Sequence, residues 1–154
     1  IMTPHTGSAT NETRTSMAEI TVRNLQLALE GKKLEIYGDG DQTRDFIYID
    51  DLVKAVCLAS TTPHIGGEIF QIATSMEISV AEMVQQLLHV FNKLDLTPPT
   101  ITNVQSRIGD VKRNFSDTRK ALSRLGWKAE VPLQLGLEYT VNYLLELERY
   151  AHTL

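Results

Sequence analysis

The sequence predicts an α/β fold: a small mixed lobe of short strands among about five helices. Two observations carry that expectation. Apolar residues recur at helical spacing in several separate segments, and short β-prone runs lie between them, set off by glycine, proline and aspartate. With 154 residues, 42% of them hydrophobic, the chain is long enough for one buried core and short of the length at which a second is expected.

The elements follow in order. Residues 1–14, IMTPHTGSATNETR, are polar and without periodicity, and read as a flexible N-terminal segment ahead of a single domain over 15–154. Ala18, Val22, Leu25 and Leu29 then repeat at helical spacing beside Met17 and Ile20, and Gly31 stops the pattern, which predicts a helix over 15–30. LEIY (34–37) and FIYI (46–49), separated by glycine and aspartate, read as two strands joined by a turn. Asp50 or Asp51 is placed to cap a following helix whose Leu52, Ala55, Val56 and Ala59 face one way.

Beyond TTPHIGG, the run EIFQIA (68–73) reads as a buried strand. ISVAEMVQQLLHVF carries a capping box in Ser79 and Glu82 and a single apolar face in Val80, Met83, Val84, Leu87, Leu88 and Phe91. Pro98 and Pro99 precede a strand at ITNVQ, and the polar RIGDVKRNFSD leads to a short helix at DTRKALSRL, stopped by Gly126 with Trp127 behind it. The last helix starts near Pro132 and turns Leu133, Leu137, Val141, Leu144 and Leu145 inward.

Composition narrows the function. Fifteen basic residues against nineteen acidic give a net charge of −4, and no long basic run offsets it, so the electrostatic driving force for nucleic-acid binding is missing. The lone cysteine, Cys57, supports neither a disulfide framework nor a thiolate metal site and fits a reducing cytoplasm. No apolar run is long enough to span a membrane, and no signal-peptide layout is present. The chain begins with Ile1, which suits a piece of a longer polypeptide or a processed one.

Two clusters could carry chemistry. In YGDGDQTRDFIYIDD (37–51), Asp39, Asp41, Thr43 and Asp50 fall at calcium-loop positions, but Arg44 stands where that loop needs glycine. A phosphate loop is equally poor, because GDGD lies between strands and its carboxylates repel phosphate; a plain turn suits it better. Arg44 itself needs an anion, either Asp45 or Asp41 nearby or an external one. In SRIGDVKRNFSD (106–117), Arg107, Lys112 and Arg113 lie near Asp110 and Asp117, which reads as a solvated loop with Ser116 or Asp117 capping the next helix. Two arginines from separate loops would also suit a diphosphate, and Asp110 could accept hydrogen bonds from a ribose. The histidines, His5, His64, His89 and His152, lack ligand spacing, and Tyr48 reads as a packing residue.

GDGDQTRDFIYIDDLVKA (38–55), FQIATSMEIS and RIGDVKRNFSDTRKALSRLGW (107–127) together resemble the C-terminal half of extended short-chain dehydrogenase/reductases, the NAD-dependent nucleotide-sugar epimerases and dehydratases. RIGDVKRNFSD is most similar to the UDP-glucose 4-epimerase-like branch. The resemblance implies a substrate-binding lobe in which Arg44 and Arg107 contact the diphosphate of a nucleoside-diphosphate sugar and Asp110 contacts the ribose. It also implies a parent enzyme in which NAD, held by a Rossmann half, oxidises the sugar at C4 while a tyrosine shuttles the proton. Gln71 in FQIA stands where many relatives have an asparagine that touches substrate. The glycine-rich GxxGxxG is not found, and none of Tyr37, Tyr48, Tyr139, Tyr143 and Tyr150 has a lysine four positions on. The chain alone is therefore expected to bind no NAD and to be catalytically incomplete; the alternative is a stand-alone binding or regulatory module derived from the same lobe. Apolar surface along the 15–30 helix, left uncovered without the Rossmann half, is expected to promote self-association.

Overall fold

Parallel strands need a crossover, and here it runs through two helices. The computed structural model describes residues 33–151 together with Glu12 and Thr15. β1 (Leu34–Tyr37) pairs in parallel with β4 (Ile101–Val104), with Ile36 opposite Asn103. Between them lie β2 (Thr43–Arg44), α1 (Ile49–Thr61), β3 (Ile78–Ser79) and α2 (Val80–Lys93). β2 and β3 form a second, antiparallel pair with Arg44 opposite Ile78. α3 (Arg119–Leu125) and α4 (Leu133–Ala151) complete the chain. This is the expected mixed α/β lobe. The expected loop over 1–14 and helix over 15–30 fall outside the described residues, except for Glu12 and Thr15, both helical.

Local signals place the helices. α2 opens on the expected capping box: Ser79 Oγ accepts the Glu82 N–H at 3.1 Å, and the Glu82 carboxylate accepts the Ser79 N–H at 2.8 Å. α3 ends where Gly126 turns left-handed with φ 64°, and Trp127 behind it is buried. Two apolar clusters follow. Val90 and Phe91 of α2 pack on Val141 of α4, joined by Leu87, Leu137 and Leu145. Ala55 of α1 packs on Ala121 and Leu125 of α3 and on Trp127. Val56, expected on the same face, is 62% exposed beside Ile49 and Val53, so the inward stripe of α1 is narrower than its apolar pattern.

Two expected strands are absent. Residues 46–48 of FIYI carry no ladder, and Ile49 already belongs to α1, because β1 takes β4 as its partner. Tyr48 instead packs its ring against Gly136, where a Cβ would approach the ring to 3.2 Å, and meets the Tyr139 ring at 5.6 Å. EIFQIA keeps a strand's alternation, since Phe70 and Ile72 pack against the second cluster while Ile69 is exposed, but no neighbouring strand pairs with it among the described residues.

Asp51 also departs from expectation. Tyr48 is the N-cap residue of α1 and makes no side-chain cap, while Asp51 is buried in the first turn. Its carboxylate accepts the N–H groups of Glu130 and Val131, each at 2.9 Å, and its carbonyl accepts Trp127 Nε1–H at 2.9 Å. The N-terminal end of α1 favours that negative charge. Asp51→Ala strands two amides, so urea denaturation should show a loss of about 3 kcal/mol, and Asp51→Asn, which keeps one acceptor oxygen, should lose about half as much.

Candidate functional site

The GDGD turn brings β1 against the start of α2. Gly38 and Gly40 take φ of 78° and 87°, and a Cβ on Gly40 would lie 3.2 Å from the Ala81 Cβ. Asp39 accepts the Asp41 N–H at 3.0 Å, so this acid shapes the turn as the plain-turn reading expects. The turn delivers β2.

Arg44 leaves β2 toward the 106–118 linker. Its Nη1 donates to the carbonyls of Thr43 at 2.7 Å and Val111 at 2.6 Å, and its Nη2 donates to the Asp110 carboxylate at 2.5 Å. The partner expected nearby, Asp45 or Asp41, is thus replaced by one 66 positions away. Asp45 has other work: its carboxylate accepts Thr74 N–H at 2.7 Å, the Thr74 hydroxyl, Ser75 N–H at 2.9 Å and Ser116 N–H at 3.3 Å. Ser75 is held at φ 61°, a left-handed conformation that costs a non-glycine residue about 1 kcal/mol.

The linker is exposed but fastened along its length. Thr43 N–H donates to the Lys112 carbonyl at 2.8 Å. Arg113 forks onto both Glu77 oxygens at 2.7 Å, and Thr43 Oγ1 donates to Glu77 at 2.6 Å. Further along, Gln71 accepts Asp117 N–H at 3.1 Å, and the hydroxyls of Ser75 and Thr118 lie 2.7 Å apart. Arg107 stacks over the Tyr37 ring, 3.7 Å from its centre.

Arg107, Asp110, Lys112 and Arg113 line a cleft of about 750 Å³ with Tyr37 and Gln42. Of the residues singled out in the sequence, Arg44 and Asp110 meet directly and Arg107 shares Asp110's cleft, whereas Gln71 serves the far end of the linker. Asp117 is no side-chain N-cap across Thr118 but accepts the Arg119 N–H at 3.0 Å. Tyr37, Asp45 and Glu77 went unmarked as site residues. Only Tyr37, beside a glycine turn, offered a local signal. Tyr48 is a packing residue, its hydroxyl pKa raised by burial first and by Asp50 and Tyr139 after it. No group of histidine, cysteine or acidic residues suited to a metal occurs among the described residues.

Hydrogen bonds from Arg113, then from Thr43, hold Glu77 down to about 2 from an ordinary 4.5. A depressed carboxylate contributes its stability above its unfolded pKa and loses it as pH falls through the folded one. The stability difference between the unsubstituted chain and Glu77→Gln should therefore be complete at neutral pH and shrink from about pH 4.5 to about pH 2, followed by chemical denaturation at each pH.

Comparison with known proteins shows the family to which the chain belongs. A family model described as GDP-mannose 4,6 dehydratase matches residues 1–140. A UDP-glucose 4-epimerase of Mycolicibacterium smegmatis is 33% identical over 118 residues, 75% of this chain and 35% of that protein. A dTDP-glucose 4,6-dehydratase of Haemophilus influenzae is 32% identical over 126 residues, 77% of this chain and 37% of that protein. The crystal structure of a UDP-glucuronic acid 4-epimerase from Bacillus cereus, in complex with UDP-glucuronic acid and NAD, superposes with a TM-score of 0.72 at 33% identity, over 81% of this chain and 39% of that one. The chain thus spans about a third of the length of the curated relatives it matches. It belongs to the GDP-mannose 4,6-dehydratase family, among the NAD-dependent nucleotide-sugar epimerases and dehydratases of the extended short-chain dehydrogenase/reductase group.

Proposed function

We propose that this chain is the substrate-binding portion of an NAD-dependent nucleotide-sugar epimerase or dehydratase, UDP-glucose 4-epimerase-like, and that its cleft holds the nucleoside diphosphate. The observation that carries the reading is the convergence of β1, β2 and the linker, which puts Arg107 and Asp110 in one cleft and Arg44 against Asp110. Arg44 spends both Nη1 hydrogens and one Nη2 hydrogen on the protein; its Nε–H and second Nη2 hydrogen have no partner among the described residues. Those two donors suit phosphate oxygens, with Arg107 supplying the second guanidinium and Asp110 accepting from a ribose hydroxyl. Gln71 is a substrate contact by resemblance only.

The described residues do not fit NAD itself. The glycine turn after β1 leads into a strand, not a helix whose N-terminus could receive a dinucleotide's pyrophosphate. In this reading NAD and the reacting tyrosine belong to a Rossmann portion, and the lobe supplies binding energy from the remote nucleotide to orient the sugar. Ile49, Val53 and Val56 of α1, and Tyr139, Tyr143 and Leu147 of α4, are among the exposed apolar residues available for contact with it. The isolated chain should accordingly self-associate at high concentration in sedimentation velocity, and a clean monomer there would count against that contact surface.

Calorimetric titration at low salt tests the site. The chain should bind UDP and UDP-glucose, and Arg44→Ala and Arg107→Ala should each weaken both at least about tenfold, or ~1.4 kcal/mol. Binding left unchanged by both substitutions would refute the assignment.

A further inference from the structure

The geometry points to Glu77 as a positioning residue for the diphosphate cleft, a role that rests on reading the cleft as a nucleoside-diphosphate site. Glu77 lies between two elements that meet nowhere near it in sequence. One oxygen takes the Thr43 hydroxyl at 2.6 Å and Arg113 Nε–H at 2.7 Å, and the other takes Arg113 Nη2–H at 2.7 Å. Thr43 in turn donates its N–H to the carbonyl of Lys112 at 2.8 Å, which closes a ring through Glu77, Thr43, Lys112 and Arg113.

That ring has a directional consequence. Thr43 immediately precedes Arg44, and Lys112 immediately follows Val111, whose carbonyl takes Arg44 Nη1–H at 2.6 Å. Registering Thr43 on Lys112 therefore sets where Arg44 meets Val111 and Asp110, and so how its remaining N–H donors are aimed. Glu77 also occupies Arg113, the cation in the cleft lining with two parallel bonds to a carboxylate, and so keeps it from competing with Arg107 for the anion. A fork on a planar guanidinium fixes orientation as well as distance, which a single contact would not.

The pair should act as a unit. In titrations of the full chain with UDP and with inorganic pyrophosphate, Glu77→Gln and Arg113→Ala should each weaken both ligands about tenfold, and the double variant should lose no more than about twofold beyond either single one. Arg113 is 70% exposed and its truncation leaves the core untouched, so that arm tests the idea even if Glu77→Gln folds poorly. Thermal midpoints are read alongside. Affinities within about twofold of the unsubstituted chain, with lowered midpoints, would reduce Glu77 to a purely structural contact and overturn the inference. Tighter pyrophosphate binding by Glu77→Gln would overturn it too, since Glu77 would then only mask Arg113. Failure of the unsubstituted chain to bind UDP refutes the nucleotide reading and this inference together; binding that Arg44→Ala abolishes and Glu77→Gln leaves intact refutes the inference alone.

Discussion

The arrangement of this lobe depends on carboxylates that accept backbone N–H groups where no strand is available to do so. Asp45 gathers amides from Thr74, Ser75 and Ser116, and Asp51 gathers those of Glu130 and Val131. β2 and β3 are two residues each, so their ladder satisfies few of the polar groups around them. An unpaired amide shielded from water costs about as much as a lost hydrogen bond, and a charged acceptor serving several amides removes that cost at one position. Asp45 and Asp51 flank the segment that enters α1, so the same short stretch fixes the site linker on one side and the α1–α3 cluster on the other.

This division explains what could be read from the sequence. Signals that act within a few residues were legible: the Ser79–Glu82 capping box, the Gly126 stop, the apolar face of α2 and the β-prone LEIY and ITNV. FIYI and EIFQIA were misread because alternation reports which side chains are buried and is silent on whether another strand lies alongside. Asp51 was misread as a cap for a related reason, since its partners lie 79 and 80 positions on.

The site divides the same way. Local chemistry marked Arg44, Arg107 and Asp110 only as candidates, beside a solvated-loop reading and with Asp41, Asp45 or an external anion as partners for Arg44; the motif resemblance gave them their proposed roles. Glu77 in SMEIS carried no signal at all: its meaning comes from Arg113, 36 positions away, and from the backbone register that brings Thr43 beside both.

Charge alone does not make this cleft attractive to an anion. Asp39, Asp41 and Asp110 line it alongside Arg107, Lys112 and Arg113, and the chain as a whole carries −4. Long-range steering of a polyanion is therefore weak, and the affinity proposed for a diphosphate has to come from short, oriented hydrogen bonds. Such bonds are worth most when the donors are already held in place, because little side-chain freedom remains to be lost on binding. Arg44, tied at three donors, and Arg107, laid flat on Tyr37, are held in this way. The paired acids thus oppose anion binding by their charge and favour it by their geometry, and a ligand with two phosphates at fixed spacing draws on the second effect more than a single small anion can.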